Sequence, residues 1–262
     1  MDDKSKSQSF LKIESIRKRS YAHSVLLKEN DVIVAFDNNL FFKGEKALID
    51  DLIDQKKKDK KTLLTISRNE QLFDLIVTGS LGCDFISTDS EETEKIKQTF
   101  AKKQIWDKEE LSNFFAMRDL TNNFEVIKDD KNISAGIFPP LWLAYHQKWS
   151  LLVIFSVVSF LLISVNFWVF LIGWICTSIY CYLAQKELLV SFSLLSGKAF
   201  SLIVASNNRE NAEKCIRQLN PKSKFKYSNL QDPEPMISEN DDNLVENKEE
   251  KNKISKTQEA IV

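Results

Sequence analysis

The chain has 262 residues, with 36 Lys and Arg against 37 Asp and Glu and a formal net charge of −1; so even a balance gives no basic field of the kind that nucleic-acid binding needs. The 28% charged residues describe a soluble protein on average, but residues 150–184 contain no Asp, Glu, Lys, Arg or His. Cys83, Cys176, Cys181 and Cys215 lack metal-ligand spacing and two of them fall in the apolar run, so neither a disulfide framework nor a metal site is expected.

The opening "MDDKSKSQSFLKIESIRKRS" carries basic residues but no apolar core and no small-residue cleavage site, so a secretory signal is not expected. Val32, Ile33, Val34 and Phe36 predict a short strand ended by the turn cluster "DNN". Ala47, Leu48, Leu52 and Ile53 recur at helical spacing between Gly44 and a Lys-rich loop at residues 56–61. Two strands follow, "KTLLTISR" and "QLFDLIVTG", and the intervening "NE" predicts a hairpin.

These residues carry a resemblance. "LLKENDVIVAFDN" resembles the Leu-Lys-x-Gly-Asp-x-Ile signature of PDZ domains of the bacterial protease-associated kind, with Leu27, Lys28, Asp31, Val32, Ile33 and the turn at Asp37-Asn38 in matching order. "GEKALIDDLIDQ" falls where the groove-lining helix belongs, and the likeness covers residues 13–77. It implies a groove that takes a peptide as an added strand, walled here by Ile13, Ile16, Leu48 and Leu52. Asn30 replaces the glycine of the signature and the Gly-rich carboxylate loop is missing, so recognition of a terminal carboxylate is not implied. The chain's own apolar end, "TQEAIV", is the kind of segment that such domains recognise.

"DSEETEKIKQTFAKKQIW" starts on an Asp-Ser cap and carries acids in its first turn, as a surface helix does. "DKEELSNFFAMRDL" is expected to be a second helix and "NNFEVIKDD" a short strand. "GIFPPLWLAYHQKW" is similar to an uncharacterised family of small bacterial inner-membrane proteins, in which a Phe-x-Pro-x-Trp-x-x-Tyr-His-x-x-Trp lead-in precedes a hairpin of spans. Phe138, Pro140, Trp142, Tyr145, His146 and Trp149 match it, and it implies no activity. Pro139 and Pro140 suit a helix start. Trp142, Tyr145 and Trp149 are expected to anchor at the headgroup level, and His146 is read as a polar anchor there.

A bilayer core of about 30 Å takes roughly 20 apolar helical residues. The uncharged run is too long for one upright span, and Ser164-Val165-Asn166 interrupts it. Two transmembrane helices are therefore expected, at about 150–165 and 167–184; one long tilted helix and a buried helix pair in a soluble core are the other readings. Lys128, Lys131, Lys148, Lys186 and Lys198 flank the run while its tip is uncharged, which places both termini in the cytoplasm. Beyond it, a helix is expected to run to Gly197, followed by the strand "FSLIVAS", paired with "FEVIK", and a helix from Asn207 to Asn220-Pro221. From Ser228 the composition predicts disorder.

The expected fold class is therefore α+β: a PDZ-like domain at 1–88, a helical connector at 89–136, a membrane region at 137–187, a small strand-helix cap at 188–227 and a tail at 228–262. No nucleophile motif, phosphate loop or intramembrane carboxylate cluster is present, so no enzyme activity, cofactor or metal is expected. The expected function is a membrane-anchored adaptor that uses the PDZ-like domain to bind a protein or peptide partner beside a lipid bilayer, with no nucleic acid. A small structural subunit of a larger membrane complex, or a regulator of a membrane protease, are the alternatives.

Overall fold

The computed structural model describes residues 8–226, 228–231 and 233. The first half runs β1 (Leu11–Ile16), α1 (Tyr21–Ser24), β2 (Val32–Phe36), β3 (Asn39–Leu40), α2 (Glu45–Lys57), β4 (Thr62–Arg68), β5 (Gln71–Val77), β6 (Cys83–Ser87) and α3 (Ser90–Ala101). Its strands lie in the order β5-β4-β2-β1-β6, every neighbouring pair antiparallel. Asn69 and Glu70 turn the β4–β5 hairpin with φ of 49° and 65°, the paired left-handed geometry that a two-residue hairpin loop demands. Asn30, at φ 70°, occupies a left-handed position that Asn tolerates better than most side chains, which explains how it replaces a glycine. Beside it, Asp31 accepts from the Lys28 backbone N–H at 2.8 Å and from Arg68 Nε and Nη2 at 2.7 and 2.6 Å, fastening the β1–β2 connection to the end of β4.

The second half begins with a single 3-10 turn, Lys108–Glu110, then β7 (Ser112–Arg118) and β8 (Asn123–Lys128). Five helices follow: α4 (Ser134–Ile137), α5 (Pro139–Tyr145), α6 (Trp149–Val165), α7 (Phe167–Leu183) and α8 (Gln185–Leu195). The chain then returns as β9 (Ala199–Ser206), α9 (Arg209–Leu219) and β10 (Lys224–Phe225). These strands order as β10-β8-β7-β9, with β10 parallel to β8. Strand β9 also meets β5, at Asp74 opposite Ala205, so the halves form one ten-stranded sheet. Close by, the Asn113 side chain accepts from the Ile76 N–H at 3.1 Å and donates to the Ile76 carbonyl at 2.9 Å, as a backbone amide would.

Two expectations are corrected here. The segment "DKEELSNFFAMRDL" is not a helix: after the short turn capped by Asp107 it is strand β7, whose consecutive Phe114, Phe115, Ala116 and Met117 are all buried. A strand with both faces covered reads as a continuous apolar run and hides its period of two. Strand β9 pairs with β7 and β5, and not with the "FEVIK" strand β8, which sits between β7 and β10. The expected helical connector is thus a helix followed by a strand hairpin that belongs to the shared sheet.

Helices α6 and α7 have 17 residues each, about 25 Å long at 1.5 Å per residue. The break falls at Asn166, whose side chain accepts from the Trp168 N–H at 2.8 Å and so caps α7. The helices fold back on one another: the rings of Phe155 and Trp174 lie 5.5 Å apart, and a Cβ on Gly173 would stand 3.5 Å from Leu162 Cδ1. Among the described residues no single helix is long and apolar enough to cross a membrane; α7 with α8, bent by 88°, passes as a pair on length and composition. The amino-terminal stretch before residue 8, most of the tail expected to be disordered, and the terminal "TQEAIV" lie outside the described residues.

Candidate functional site: the root of the helical hairpin

The hairpin leaves the sheet after β8 and returns before β9, so its root is the point where a long apolar element joins the platform. Four polar side chains hold it. Lys148, just before α6, donates to Glu125 Oε1 on β8 at 2.6 Å and to Ser193 Oγ on α8 at 3.0 Å. Lys198, just before β9, donates to Glu125 Oε2 at 2.6 Å. Lys186 pairs with Asp129 at 3.0 Å and lies over the Phe115 ring, 4.3 Å from its centroid. Gln185, buried at the α7–α8 bend, accepts from the Asn132 N–H and donates to the Asn132 carbonyl, both at 2.8 Å. Lys148 and Lys186, which bracket the uncharged run in the sequence, therefore each tie one end of the hairpin to a carboxylate on β8 or just beyond its end.

Glu125 is the hub. Burial pushes its carboxyl pKa up, but hydrogen bonds from Lys148 and Lys198 outweigh that, and it is held below the usual carboxylate range. His146, with its ring edge against Trp142 and Tyr145, is lowered to about 4, first by burial and then by the charges of Lys148 and Arg209. At neutral pH it is uncharged. Beside Glu125 opens a cavity of about 500 Å³, into which Lys148, Lys198, Arg209 and Lys226 converge and whose wall includes the first turn of α6.

The expected anchors separate. Tyr145 and Trp149 are exposed beside this cavity, but Trp142 is 1% exposed and packs in the core. The separation arises because α5 ends at Tyr145 and Gln147 takes φ 57°, so Trp142 and Trp149 do not share one helix. Trp142 cannot reach a headgroup from there, and its indole N–H finds no acceptor among the described residues.

The expected peptide groove takes a different form. Ile13, Leu48 and Leu52 are buried in the core, and Ile16 packs against it. Strand β6 pairs antiparallel with β1 from Ile16 opposite Cys83 to Leu11 opposite Ser87. A cleft between α2 and the β6 segment is lined by Leu48, Leu52, Leu81 and Phe85. The edge of β1 that an added strand would use is occupied by the chain's own β6, and that strand was not foreseen because "CDFIS" carries a charge and lacks alternation. Glu125, Ser193 and Arg209 were not foreseen either; their signal is a lone acid between the apolar residues of "FEVI" and a lysine at each end of an uncharged run. Among the described residues, no group of His, Cys, Asp and Glu is placed to hold a metal ion. Compared with protein-family models and with curated proteins, the chain matches none.

Proposed function

We propose that this chain is a membrane-anchored, protein-binding adaptor, in which the α6–α7 hairpin inserts into a bilayer from one side and holds the ten-stranded platform against that surface. The observation that carries the proposal is the exposure of the hairpin. Eighteen large hydrophobic side chains between positions 153 and 183 are exposed, and α6 has no buried residue. A helix apolar all round needs a nonaqueous surrounding. The hydroxyls agree: Ser156, Ser164 and Thr177 each donate to the carbonyl four residues earlier, at 2.8, 2.9 and 2.8 Å, as groups surrounded by lipid must satisfy themselves locally. With α7 upright, the 88° bend lays α8 along the membrane plane, and the exposed Leu194, Leu195, Tyr145 and Trp149 form a belt at the root.

Anchoring is tested by extraction. Alkaline carbonate should leave the protein in the membrane pellet, and the paired variant Val157→Asp and Ile172→Asp should release it. Both side chains are exposed, so the change removes no internal packing. Release of the unaltered chain would sink the anchor.

The partner-binding half of the proposal rests on the resemblance of residues 13–77 and on the α2 cleft. With β6 in place, a partner strand has to displace it or use another face. That occupancy lends weight to a second reading, a small subunit of a larger membrane complex that binds through the hairpin. Photo-crosslinkers at positions 85 and 172 separate the two. Protein adducts from 85 with only lipid adducts from 172 support the adaptor, and protein adducts from 172 alone support the subunit.

A further inference from the structure

The cavity at the root of the hairpin has no part in anchoring by apolar insertion, yet its walls are chemically selective. Three cations, Lys148, Lys198 and Arg209, line it beside the carboxylate of Glu125. Glu125 spans Lys148 and Lys198, leaving that trio with one net positive charge. Arg209 is paired with Glu213 at 2.8 Å on the neighbouring turn of α9. Into the same space opens the amino end of α6, a helix of 17 residues that no side chain caps. Its first intrahelical bond runs from the Leu152 N–H to the Lys148 carbonyl, so the amides of Trp149, Ser150 and Leu151 precede the helical ladder and point backward to the cavity they line. A cluster of cations and a helix amino terminus favour the same ligand, an anion with several acceptor oxygens.

Size and setting narrow the class. A volume of about 500 Å³ exceeds what a bare phosphate fills. Phe192, Leu195, Leu151 and Trp149 give the wall one apolar side, continuous with the exposed face of α6, while Tyr145, His146, Gln147 and Ser196 line another part. The geometry points to a binding site for the phosphate-bearing headgroup of an anionic phospholipid, with its phosphodiester among the lysines and the amino end of α6 and its acyl chains leaving along the hairpin. This inference rests on the insertion of the hairpin proposed above.

The test uses the full chain in a neutral detergent, with equal amounts of dioleoyl-phosphatidylglycerol and dioleoyl-phosphatidylcholine added, and reads the retained lipid by native mass spectrometry. Phosphatidylglycerol should be retained at least about tenfold over phosphatidylcholine, a difference of about 1.4 kcal/mol. The Ser150→Glu variant places a carboxylate at the same helix end, where it suits the dipole and disturbs no ion pair; it should keep the melting temperature and lose the preference. Equal retention of the two lipids by the unaltered chain, or an unchanged preference in the variant, would overturn the site. Inorganic phosphate at 10 mM, on the order of a weak free-anion affinity, should leave the lipid in place; its displacement would reassign the site to a free phosphate compound and overturn the lipid assignment. Flotation with vesicles of phosphatidylcholine alone reports on the hairpin independently, so a chain that selects phosphatidylglycerol but fails to float would keep the site and lose the insertion.

Discussion

Asn30 and Asp31 show how single residues set the first half of the fold. Asn30 at φ 70° sits where a β-branched side chain costs about 1–2 kcal/mol, so Asn30→Val should lower stability by that amount in urea unfolding while Asn30→Gly stays within about 1 kcal/mol of the parent. Asp31 is 1% exposed and its two oxygens take both Arg68 donors. Arg68→Ala strands that carboxylate in the core, and a loss of about 3–5 kcal/mol is expected. The root of the hairpin adds a pH dependence. Glu125 and His146 both have folded pKa values below their ordinary ones, so the unfolded chain binds more protons than the folded one as the solution is acidified. Their contribution is fully present at neutral pH; that of His146 is lost as pH falls from its ordinary 6.5 through about 4, and that of Glu125 as pH falls through its depressed value. Melting temperature should therefore decline across this window. In His146→Phe the upper part of the decline should flatten, which a pH series of thermal melts would show.

At the scale of elements, legibility followed the strength of local signals. The β4–β5 hairpin was readable because "NE" separates two apolar runs and both turn residues can take positive φ. Helix α2, the capped α3 and α9, and the stop at Gly197 with φ 78° were readable from caps and spacing. Strand β7 was not, since its place inside the sheet depends on β9 arriving from about 90 residues later in the chain. The hub at Glu125 was hidden for the same reason: its partners come from three segments that the long hairpin separates in sequence. Within the hairpin, the less exposed positions Leu152, Phe155, Ser159 and Leu162 recur at helical spacing and face Phe170, Gly173, Trp174 and Thr177. Gly173→Ala should be accommodated at 3.5 Å from Leu162, whereas Gly173→Leu should force the helices apart. Crosslinking between cysteines placed at positions 155 and 174, whose native rings lie 5.5 Å apart, should persist in the first variant and fall severalfold in the second.

For the whole molecule, the central claim is that a folded sheet platform and a lipid-embedded hairpin are parts of one body. The described residues up to Gln231 form one compact unit, and the hairpin is joined to it by ion pairs at both ends, so insertion would fix the position of the sheet against the membrane. The chain carries its own probe for this. Of its four cysteines, only Cys176 is exposed, and it lies on α7 about 15 Å from the tip at Asn166 by helical rise. A nitroxide on Cys176 of the full chain in phosphatidylcholine vesicles should relax strongly with oxygen, which concentrates in the bilayer, and weakly with a water-soluble nickel chelate. Strong relaxation by the nickel chelate, equal to that of a label on an exposed residue such as Glu210, would contradict insertion of the hairpin.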